Sequence, residues 1–476
     1  MDHPAAHPLR LTAGEIAAAA GGRVIAGDPD TRFSGLAIDS RAVEPGSLFI
    51  ALPGARVDGH DFIPQALARR AAGVLSSRGE PVAGAAVTIA VDETLAALQG
   101  AAREWRSRLR ATVIGIAGSN GKTTTKEVVA SVLAVRGRTF ATPGNENSQV
   151  GTPMAILAAP PDTEFLVLEL GTSAAGELGR LASFARPDLA IVTAAFAEHL
   201  EFLGSLDGVI AAEAEILDHL RPGALALVGS AEPRLVAAAR QRAGLRVAAV
   251  GRRDEDAWRI GAVRMARDGT RFELAEGLPA GSGHTWHVPL LGEPAAWAAS
   301  FAVAVARELG LSNDEIERGL ARAHPAAHRM VPIGHPSRPL FVIDDCYNSN
   351  PASARAAIEA TIALAAPVER VILVLGDMLE LGDESASAHR ELGEEVARTA
   401  PRAHLVAVGP AAAETAATAR SRGVSTDAVA DAARALERVL EVVAADGGAP
   451  TVVLVKGSRG VALERVVAGL VALAPG

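Results

Sequence analysis

The chain has 476 residues, too many for one ordinary domain, and we expect three domains. Its formal net charge is -9, from 46 basic and 55 acidic residues, and no block of Lys and Arg stands out, which argues against nucleic acid as the main partner. No apolar run approaches the roughly 18 residues of a membrane-spanning helix, and Met1 to Arg10 does not resemble a signal peptide, so we expect a cytoplasmic protein without membrane insertion.

The single cysteine, Cys346, limits the redox chemistry of the chain. One thiol can form no internal disulfide and no thiolate cluster for zinc, which fits a reducing compartment. Because nothing in the sequence marks this cysteine as reactive, we interpret it as a small buried apolar group.

Residues 1–108 are predicted to form a small mixed α/β domain. The short apolar run Ser47 to Leu52 is followed by the turn-rich segments Pro53-Gly54 and Asp58 to Asp61. A helical stretch from Glu93 to Leu109 then leads into Thr112 to Ala117, whose β-branched residues predict a buried strand.

Residues 109–325 and 326–476 both alternate strands with helical segments, which predicts sheets that are mostly parallel. The strand candidates of the first of these domains are Thr112 to Ala117, Phe165 to Leu170, Leu189 to Thr193, Ala224 to Val228 and Val247 to Val250. A Pro- and His-containing linker, Ala323 to His328, precedes a domain that we expect to be Rossmann-like. Its strand candidates are Leu340 to Asp344, Val371 to Leu375, Leu405 to Val408 and Val452 to Val455.

The strongest local signal is a phosphate-binding loop between the predicted strand Thr112 to Ala117 and a helix predicted from Lys126 to Val135. Its glycines allow backbone N–H groups to surround an anion, and the helix N-terminus adds its positive end. Lys122 can reach the terminal phosphates and the Thr123 hydroxyl can ligate Mg²⁺. A Gly-rich turn without a ligand is the alternative; the strand, loop and helix together favour ATP or GTP. The loop reads Gly118-Ser119-Asn120-Gly121-Lys122-Thr123-Thr124-Thr125.

Two further polar residues follow predicted strands of the same domain. Glu169 ends one strand, at the edge where open α/β sheets gather ligands, and it can ligate Mg²⁺. His199 follows the next strand and is a candidate ligand of a second metal, although a lone His in such a place is more often a solvated loop residue.

The order of these motifs resembles the Mur ligases over about residues 12 to 470, in particular the branch that adds D-Ala-D-Ala. The amino-terminal domain looks like their uridine-nucleotide domain. The segments that carry the resemblance are Asp39-Ser40-Arg41, Phe49 to Gly54, Asp58 to Phe62, Gly118 to Lys126, Gly144 to Gly151, Glu169-Leu170-Gly171, His199-Leu200-Glu201, Asp344 to Pro351, Gly376 to Gly382 and Lys456 to Arg459.

The resemblance implies an ATP-dependent ligase that joins D-Ala-D-Ala to a UDP-linked muramoyl tripeptide through an acyl phosphate, with two Mg²⁺ ions. We expect a monomer, although the sequence itself carries no signal for the oligomeric state. It implies residues 1–108 for the muramoyl substrate, 109–325 for ATP and 326–476 for the dipeptide and for closing over ATP. The implied ATP-binding residues are Gly118, Ser119, Asn120, Gly121, Lys122, Thr123, Thr124, Arg329, Asp345 and Asn348. The implied substrate-binding residues are Ser40, Arg41, Asn145, Asn147 and Tyr347. The implied catalytic residues are Lys122, Glu169, His199 and Glu213, and the metal ligands are Thr123, Glu169 and His199.

Two segments depart from the family pattern. Relatives carry a carbamylated lysine where this chain has Glu213, so we hypothesise that the Glu213 carboxylate supplies that anion directly; a solvated helix residue is the alternative. The segment Gly292 to Ala298 lacks the His and both Asn that contact the base of ATP, and Trp297 offers either a stacking surface or a core residue.

Two other functions remain open. One is a related ligase that adds another amino acid, as folylpolyglutamate synthases do, against which the Asp344 to Pro351 segment argues. The other is a catalytically silent paralogue that binds nucleotide, motivated by the missing Asn and Lys residues. The sequence does not decide between diaminopimelate and lysine as the third residue of the tripeptide.

Overall fold

The computed structural model describes residues 8–54, 57–196, 200–277, 283–379, 381–445 and 449–473. Three sheets with five, nine and six strands follow one another along the chain, and helices connect most of their strands. This arrangement confirms the predicted α/β fold with three sheets. Among the described residues, no helix has both the length and the apolar character needed to cross a bilayer.

The first sheet has the strand order β1-β5-β4-β3-β2, in which only the β1–β5 pair is antiparallel. Its strands are β1 Arg23–Ala26, β2 Leu36–Ala37, β3 Leu48–Ile50, β4 Gly73–Ser76 and β5 Val87–Ala90. The helices are α1 Ala13–Ala19, α2 Ile63–Ala68 and α3 Thr94–Arg108, with 3-10 turns Ser40–Ala42 and Gly59–Phe62. Helix α3 starts where the Glu93 carboxylate accepts two backbone N–H groups, close to the predicted start.

The second sheet has the strand order β14-β13-β12-β11-β10-β9-β6-β8-β7. Its strands are β6 Thr112–Ala117, β7 Thr139–Ala141, β8 Phe165–Glu169, β9 Leu189–Val192, β10 Leu225–Gly229, β11 Arg246–Gly251, β12 Trp258–Ala266, β13 Gly269–Glu276 and β14 His284–Val288. Strands β6, β8, β9, β10 and β11 pair in parallel as predicted. The sequence analysis missed β7, which pairs in parallel with β8, and β12, which pairs in parallel with β11. It also missed β13 and β14, which continue the sheet from β12 in antiparallel pairs.

The helices of this second unit cover both faces of its parallel strands. They are α4 Lys122–Leu133, α5 Gly151–Ala158, α6 Glu177–Ala185, α7 Leu200–Leu203, α8 Leu206–Glu213, α9 Pro233–Arg240, α10 Glu293–Glu308 and α11 Asn313–Leu320, with the 3-10 helix Ala214–His219. Helix α4 begins at Lys122, four residues before its predicted start at Lys126. The phosphate-binding lysine therefore lies in the first turn of the helix rather than in a loop before it.

The third sheet has the strand order β15-β16-β20-β17-β18-β19, parallel except for β15. Its strands are β15 Val331–Gly334, β16 Leu340–Asp345, β17 Arg370–Gly376, β18 His404–Val408, β19 Ser425–Val429 and β20 Thr451–Lys456. The helices are α12 Pro351–Leu364, α13 Ser385–Thr399, α14 Ala412–Ser421, α15 Ala432–Ala445 and α16 Glu464–Val471, with 3-10 turns Gly382–Glu384 and Arg459–Val461. Because β20 lies between β16 and β17, the loops after these three strands form the crevice where such sheets bind ligands.

Candidate active site

The loop from Gly118 to Gly121 is held in shape by Thr193, directly after β9. The Thr193 hydroxyl donates to the carbonyl of Asn120 at 2.6 Å, and a Cβ added to Gly118 would lie 2.2 Å from that hydroxyl oxygen. Gly118 and Gly121 have φ angles of 122° and 85°, which side chains disfavour. Ser119 fixes the other side of the loop, since its hydroxyl accepts the N–H of Phe196 at 3.0 Å. These contacts and the two glycines therefore fix the shape of the turn.

Lys122 and Thr123 open helix α4 at the end of this loop. The Lys122 ammonium donates to the carbonyl oxygens of Gly118 at 2.5 Å and Ser119 at 3.4 Å. Thr123 is buried and Thr124 is half-buried on the same turn. Among the described residues no side chain caps this helix, so its first N–H groups and its positive end are available to an anion.

Glu169 ends β8 and is 1% exposed. One of its carboxylate oxygens, Oε1, accepts a hydrogen bond from the Asn147 side-chain amide at 2.7 Å. The other, Oε2, is buried and has no hydrogen-bond partner among the described residues. A buried carboxylate oxygen without a partner is costly unless a cation or donor occupies the site. Glu169 and the Thr123 hydroxyl could hold a Mg²⁺ ion, because Mg²⁺ prefers oxygen ligands.

A cavity of about 390 Å³ lies between the phosphate-binding helix and the loops after β7 and β8. Its lining residues are Lys122, Asn147, Ser148, Gln149, Val150, Gly171, Thr172, Ser173 and Glu177. Asn145, which was predicted to bind substrate, is exposed in the loop that leads to Asn147. The cavity therefore brings polar backbone and side-chain groups next to the Lys122 ammonium.

Glu213 ends helix α8 beneath the phosphate-binding loop. Its side chain is buried, and its Oε2 accepts the backbone N–H of Gly118 at 2.6 Å. The alternative that Glu213 is a solvated helix residue is therefore wrong. Its carboxylate instead holds the first residue of the loop. His199, the candidate ligand of a second metal, lies outside the described residues.

Lys126 is a residue of the site for which the sequence analysis predicted no role. It is 0% exposed, and its ammonium donates to the carbonyl oxygens of Thr142 at 2.7 Å and Gly144 at 2.6 Å. Thr142 also accepts the Glu169 backbone N–H at 3.0 Å through its hydroxyl. Lys126 therefore ties the loop that carries Asn147 to helix α4. One sequence signal could have indicated that Lys126 belongs to the site. It stands four residues after Lys122, which places both lysines on the same face of the helix.

Replacing Lys126 with methionine is expected to lower the free energy of unfolding by about 2 to 4 kcal/mol, because two buried carbonyl groups lose a charged donor. Denaturant unfolding followed by circular dichroism measures the change. The control is Arg136→Met, since Arg136 makes a partly exposed ion pair with Glu315 at 3.1 Å. Its loss should cost less than about 1 kcal/mol. Equal effects of the two substitutions would contradict the role given to Lys126.

The loop after β16 reaches the phosphate-binding loop from the third sheet. The side-chain amide of Asn350 donates to the Asn120 side chain at 3.0 Å. Nearby, the buried Lys456 ammonium contacts the Asp345 carboxylate at 2.7 Å and the Asn348 carbonyl at 3.0 Å. Asp345 and Asn348 were predicted to bind ATP. One Asp345 oxygen is held by Lys456 and the other accepts the backbone N–H of Met330, so this carboxylate organises the loop.

Tyr347 and Arg329, predicted to bind substrate and ATP, are in contact with each other. The Arg329 guanidinium carbon lies 4.2 Å from the centroid of the Tyr347 ring. The guanidinium of Arg459 approaches the same ring at 5.4 Å, a contact that the sequence analysis missed. Arg459 follows β20 and Tyr347 follows the adjacent strand β16, so the parallel pairing of these strands brings the two residues together.

Cys346 is 2% exposed, as predicted for a small buried group. Its thiol donates to the Asp344 carboxylate at 2.9 Å. Burial and the neighbouring Asp344 both raise the pKa of the thiol, so that it stays protonated at neutral pH. Trp297, within α10, is half-buried against the core, and its indole N–H donates to the Glu293 carboxylate at 3.3 Å.

The predicted uridine-nucleotide residues lie in the first unit. The Ser40 hydroxyl is buried and donates to the Gln65 side chain at 2.7 Å, so it is engaged within the protein. Arg41 has a mostly exposed side chain that pairs with Asp39 at 2.7 Å. Of these two residues, only Arg41 has a polar side chain that is exposed to solvent.

Models of known protein families match three segments of the chain. They are described as "Mur ligase family, catalytic domain" over residues 32–109, "Mur ligase middle domain" over 116–306 and "Mur ligase, glutamate ligase domain" over 328–459. Individual proteins also match. A UDP-N-acetylmuramoyl-tripeptide--D-alanyl-D-alanine ligase of Bacillus subtilis is 37% identical over 76% of this chain and 77% of its own length. The protein of that name from Escherichia coli is 33% identical over 93% of this chain and 94% of its own length.

Solved structures give the same result for the whole fold. MurF from Acinetobacter baumannii superposes with a TM-score of 0.87 at 29% identity, covering 99% of this chain and 100% of that one. MurF from Thermotoga maritima, in complex with ADP, has a TM-score of 0.78 at 27% identity, covering 91% of this chain and 96% of that one. The family models, and a relative that is more than 30% identical over nearly the full length of the chain, show that the chain belongs to the Mur ligase family.

Proposed function

We propose that this chain joins D-Ala-D-Ala to UDP-N-acetylmuramoyl-tripeptide with hydrolysis of ATP to ADP and phosphate. The observation that carries the proposal is the cavity between Lys122, Asn147 and Gly171, next to a buried Glu169 oxygen without a partner. The printed names of the relatives from Bacillus subtilis and Escherichia coli support the same substrates, and the ADP complex of the Thermotoga maritima protein supports the nucleotide.

The first step of the reaction brings together two negatively charged reactants, ATP and a peptide carboxylate. A carboxylate oxygen of the tripeptide attacks the γ-phosphorus, and the bond to ADP breaks to give an acyl phosphate. The amine of D-Ala-D-Ala then attacks the acyl carbon, phosphate leaves, and the amine loses a proton. Lys122 and the uncapped N–H groups of the first turn of α4 hold the phosphates, which lowers the repulsion between the reactants.

Two Mg²⁺ ions belong to this proposal. Thr123 and Glu169 would hold the first and His199 the second. Bound Mg²⁺ supplies positive charge to the phosphate groups and polarises the transferring phosphoryl oxygens. The contacts of Glu169 fit this magnesium site. The Asn147 amide donates to one carboxylate oxygen, and the other oxygen has no hydrogen-bond partner among the described residues.

We assign a different ligand to each of the three parts of the chain. Residues 1–108 would bind the UDP-muramoyl substrate through Ser40 and Arg41, 109–325 would bind ATP, and 326–476 would bind the dipeptide and close over ATP through Arg329. The hydrogen bond between Asn350 and Asn120 supports closure, because it already links the third unit to the phosphate-binding loop. A cytoplasmic location fits the single cysteine.

The direct test of the proposed function is phosphate release from ATP with UDP-muramoyl tripeptide, with and without D-Ala-D-Ala. Release that requires both substrates, together with the pentapeptide product in mass spectrometry, is the expected result. Release with a single amino acid in place of D-Ala-D-Ala, or with a folate in place of the UDP-tripeptide and glutamate as the amine, would point to the related ligase. Nucleotide binding without any turnover would point to a silent paralogue.

Glu213 is proposed to supply negative charge at this site without carbamylation. Glu213→Gln keeps an oxygen that can accept the Gly118 N–H but removes the charge. We expect turnover at saturating substrates to fall about 10- to 100-fold, with an increased requirement for Mg²⁺, measured by phosphate release across a Mg²⁺ titration.

A matched control for this substitution is available two residues along the chain. Glu215 accepts the backbone N–H groups of Gly176 and Gly179, at 2.6 and 2.9 Å, away from the phosphate-binding loop. Glu215→Gln should leave the Mg²⁺ requirement unchanged. If Glu213→Gln behaves like this control, its carboxylate serves only to position Gly118.

A further inference from the structure

Two arginines converge on Tyr347 at the crevice of the third sheet. Arg329 approaches the ring from the linker and Arg459 from the loop after β20, at 4.2 and 5.4 Å from the ring centroid. Among the described residues, neither guanidinium forms an ion pair with a carboxylate. Two cations close to one ring repel each other, and a bound anion would relieve that repulsion.

A third cation of the crevice is already matched, because Lys456 is buried and pairs with Asp345 at 2.7 Å. Of these three cations, only Arg329 and Arg459 lack a carboxylate partner among the described residues. Because Arg329 is proposed to contact the nucleotide on closure, Arg459 is the cation with no function so far.

An exposed apolar side chain lies beside Arg459. Leu379, in the loop after β17, is 46% exposed, and its backbone N–H donates to the Ser458 hydroxyl at 3.0 Å. A Cβ added to Gly460 would lie 3.0 Å from Leu379 Cδ1, so the leucine packs directly against the residue after Arg459. A large apolar side chain left in solvent next to an unmatched cation fits a ligand with both methyl and carboxylate groups.

We propose that Arg459, together with Tyr347, binds the terminal carboxylate of the acceptor dipeptide and that Leu379 contacts its methyl groups. This inference rests on the proposed function, in which the acceptor is D-Ala-D-Ala. A guanidinium matches a carboxylate with two parallel N–H donors, and the tyrosine ring holds the guanidinium in place.

The proposal also sets a direction for the bound dipeptide. Tyr347 is three residues before Asn350, which contacts Asn120 of the phosphate-binding loop at 3.0 Å. With its carboxylate at Arg459 and Tyr347, the dipeptide would extend over about 7 Å along this segment and point its amine towards the phosphate-binding loop, where the acyl phosphate forms.

The test compares D-Ala-D-Ala with D-alanyl-D-alaninamide, which lacks the terminal carboxylate, in the full-length enzyme. For the wild type we expect kcat/KM to be about 10- to 100-fold higher for the acid than for the amide. In Arg459→Gln this preference should disappear through a higher KM for the acid, while KM values for ATP and the UDP-tripeptide stay within about twofold. Leu379→Ala should raise KM for the acid and the amide equally.

The control is Arg465→Gln, which removes the same positive charge. Arg465 is an exposed arginine in the first turn of α16. It should keep the preference for the acid. The inference is overturned if the wild type uses the acid and the amide equally well, which requires no folded variant, or if Arg459→Gln keeps the preference. It is also overturned if Arg459→Gln raises KM for ATP instead. A wild-type enzyme that ignores D-Ala-D-Ala but uses another acceptor would refute the proposed function itself.

Discussion

Lys122→Ala is expected to lower kcat/KM for ATP-dependent ligation by about 10²- to 10³-fold, the loss typical when one preorganised donor is removed from a developing charge. In this conformation the ammonium lies on the carbonyl oxygens of Gly118 and Ser119. Since ATP brings several negative charges to the same loop, the ammonium can exchange these carbonyl groups for phosphate oxygens. Steady-state phosphate release with all three substrates measures the loss.

The control for this substitution is Arg110→Ala. Arg110 is an exposed cation just before β6, so the change removes one positive charge near the same strand without touching the loop. Its activity should equal that of the wild type. Circular dichroism should show both variants folded, because Lys122 is only half-buried. A folded Lys122→Ala enzyme with wild-type activity would refute the ligase mechanism.

The parts of the fold that depend on local sequence could be predicted. The β-branched run from Thr112 to Ala117 forms β6 with the predicted bounds, because a buried parallel strand needs only a short apolar segment. The phosphate-binding loop follows directly, since its glycines and Lys122 are neighbours in sequence. The helix start was placed too late because Lys122, Thr123 and Thr124 were treated as loop residues although they form the first turn of α4.

The antiparallel part of the central sheet was missed although part of its sequence signal was present. In β13 the stretch Thr270 to Leu274 alternates buried and exposed residues with a period of two, as a half-buried strand does. A register shift between Ile260 and Val263 interrupts the pairing of β12 with β13, which the sequence does not indicate. The cross-strand pairs that stabilise it, such as Phe272 with Trp286, become visible only in the folded structure.

Contacts between distant segments account for the missed role of Lys456 and for the burial of Glu213, which the sequence analysis left open. Lys456 pairs with Asp345 although 111 residues separate them, because β16 and β20 are adjacent in the sheet. Glu213 reaches Gly118 across 95 residues. In sequence it stands in an Ala-Glu-Ala-Glu segment that gives no sign of burial. The sequence indicates which side chains can do chemistry, whereas the packing of α8 and the strand order decide which of them meet.

Glu169→Gln is expected to reduce turnover about 10²- to 10³-fold and to abolish stabilisation of the protein by Mg²⁺ together with ATP. The substitution keeps the shape of the side chain and an oxygen for the Asn147 amide. It places either an amide nitrogen or a neutral oxygen where the buried Oε2 stands, so the anionic ligand for the cation is lost. Phosphate release and thermal melting with and without Mg²⁺-ATP measure the two effects.

The melting temperature of the ligand-free variant distinguishes a metal ligand from a structural carboxylate. A buried carboxylate with one oxygen unpaired destabilises the ligand-free protein, so replacing it with a neutral amide should leave the melting temperature unchanged or raise it. The exposed Glu164, which precedes β8, provides the control substitution Glu164→Gln, with normal turnover and normal stabilisation by Mg²⁺-ATP. If Glu169→Gln instead lowers the melting temperature of the ligand-free protein and still gains stability from Mg²⁺-ATP, Glu169 supports the fold rather than the cation.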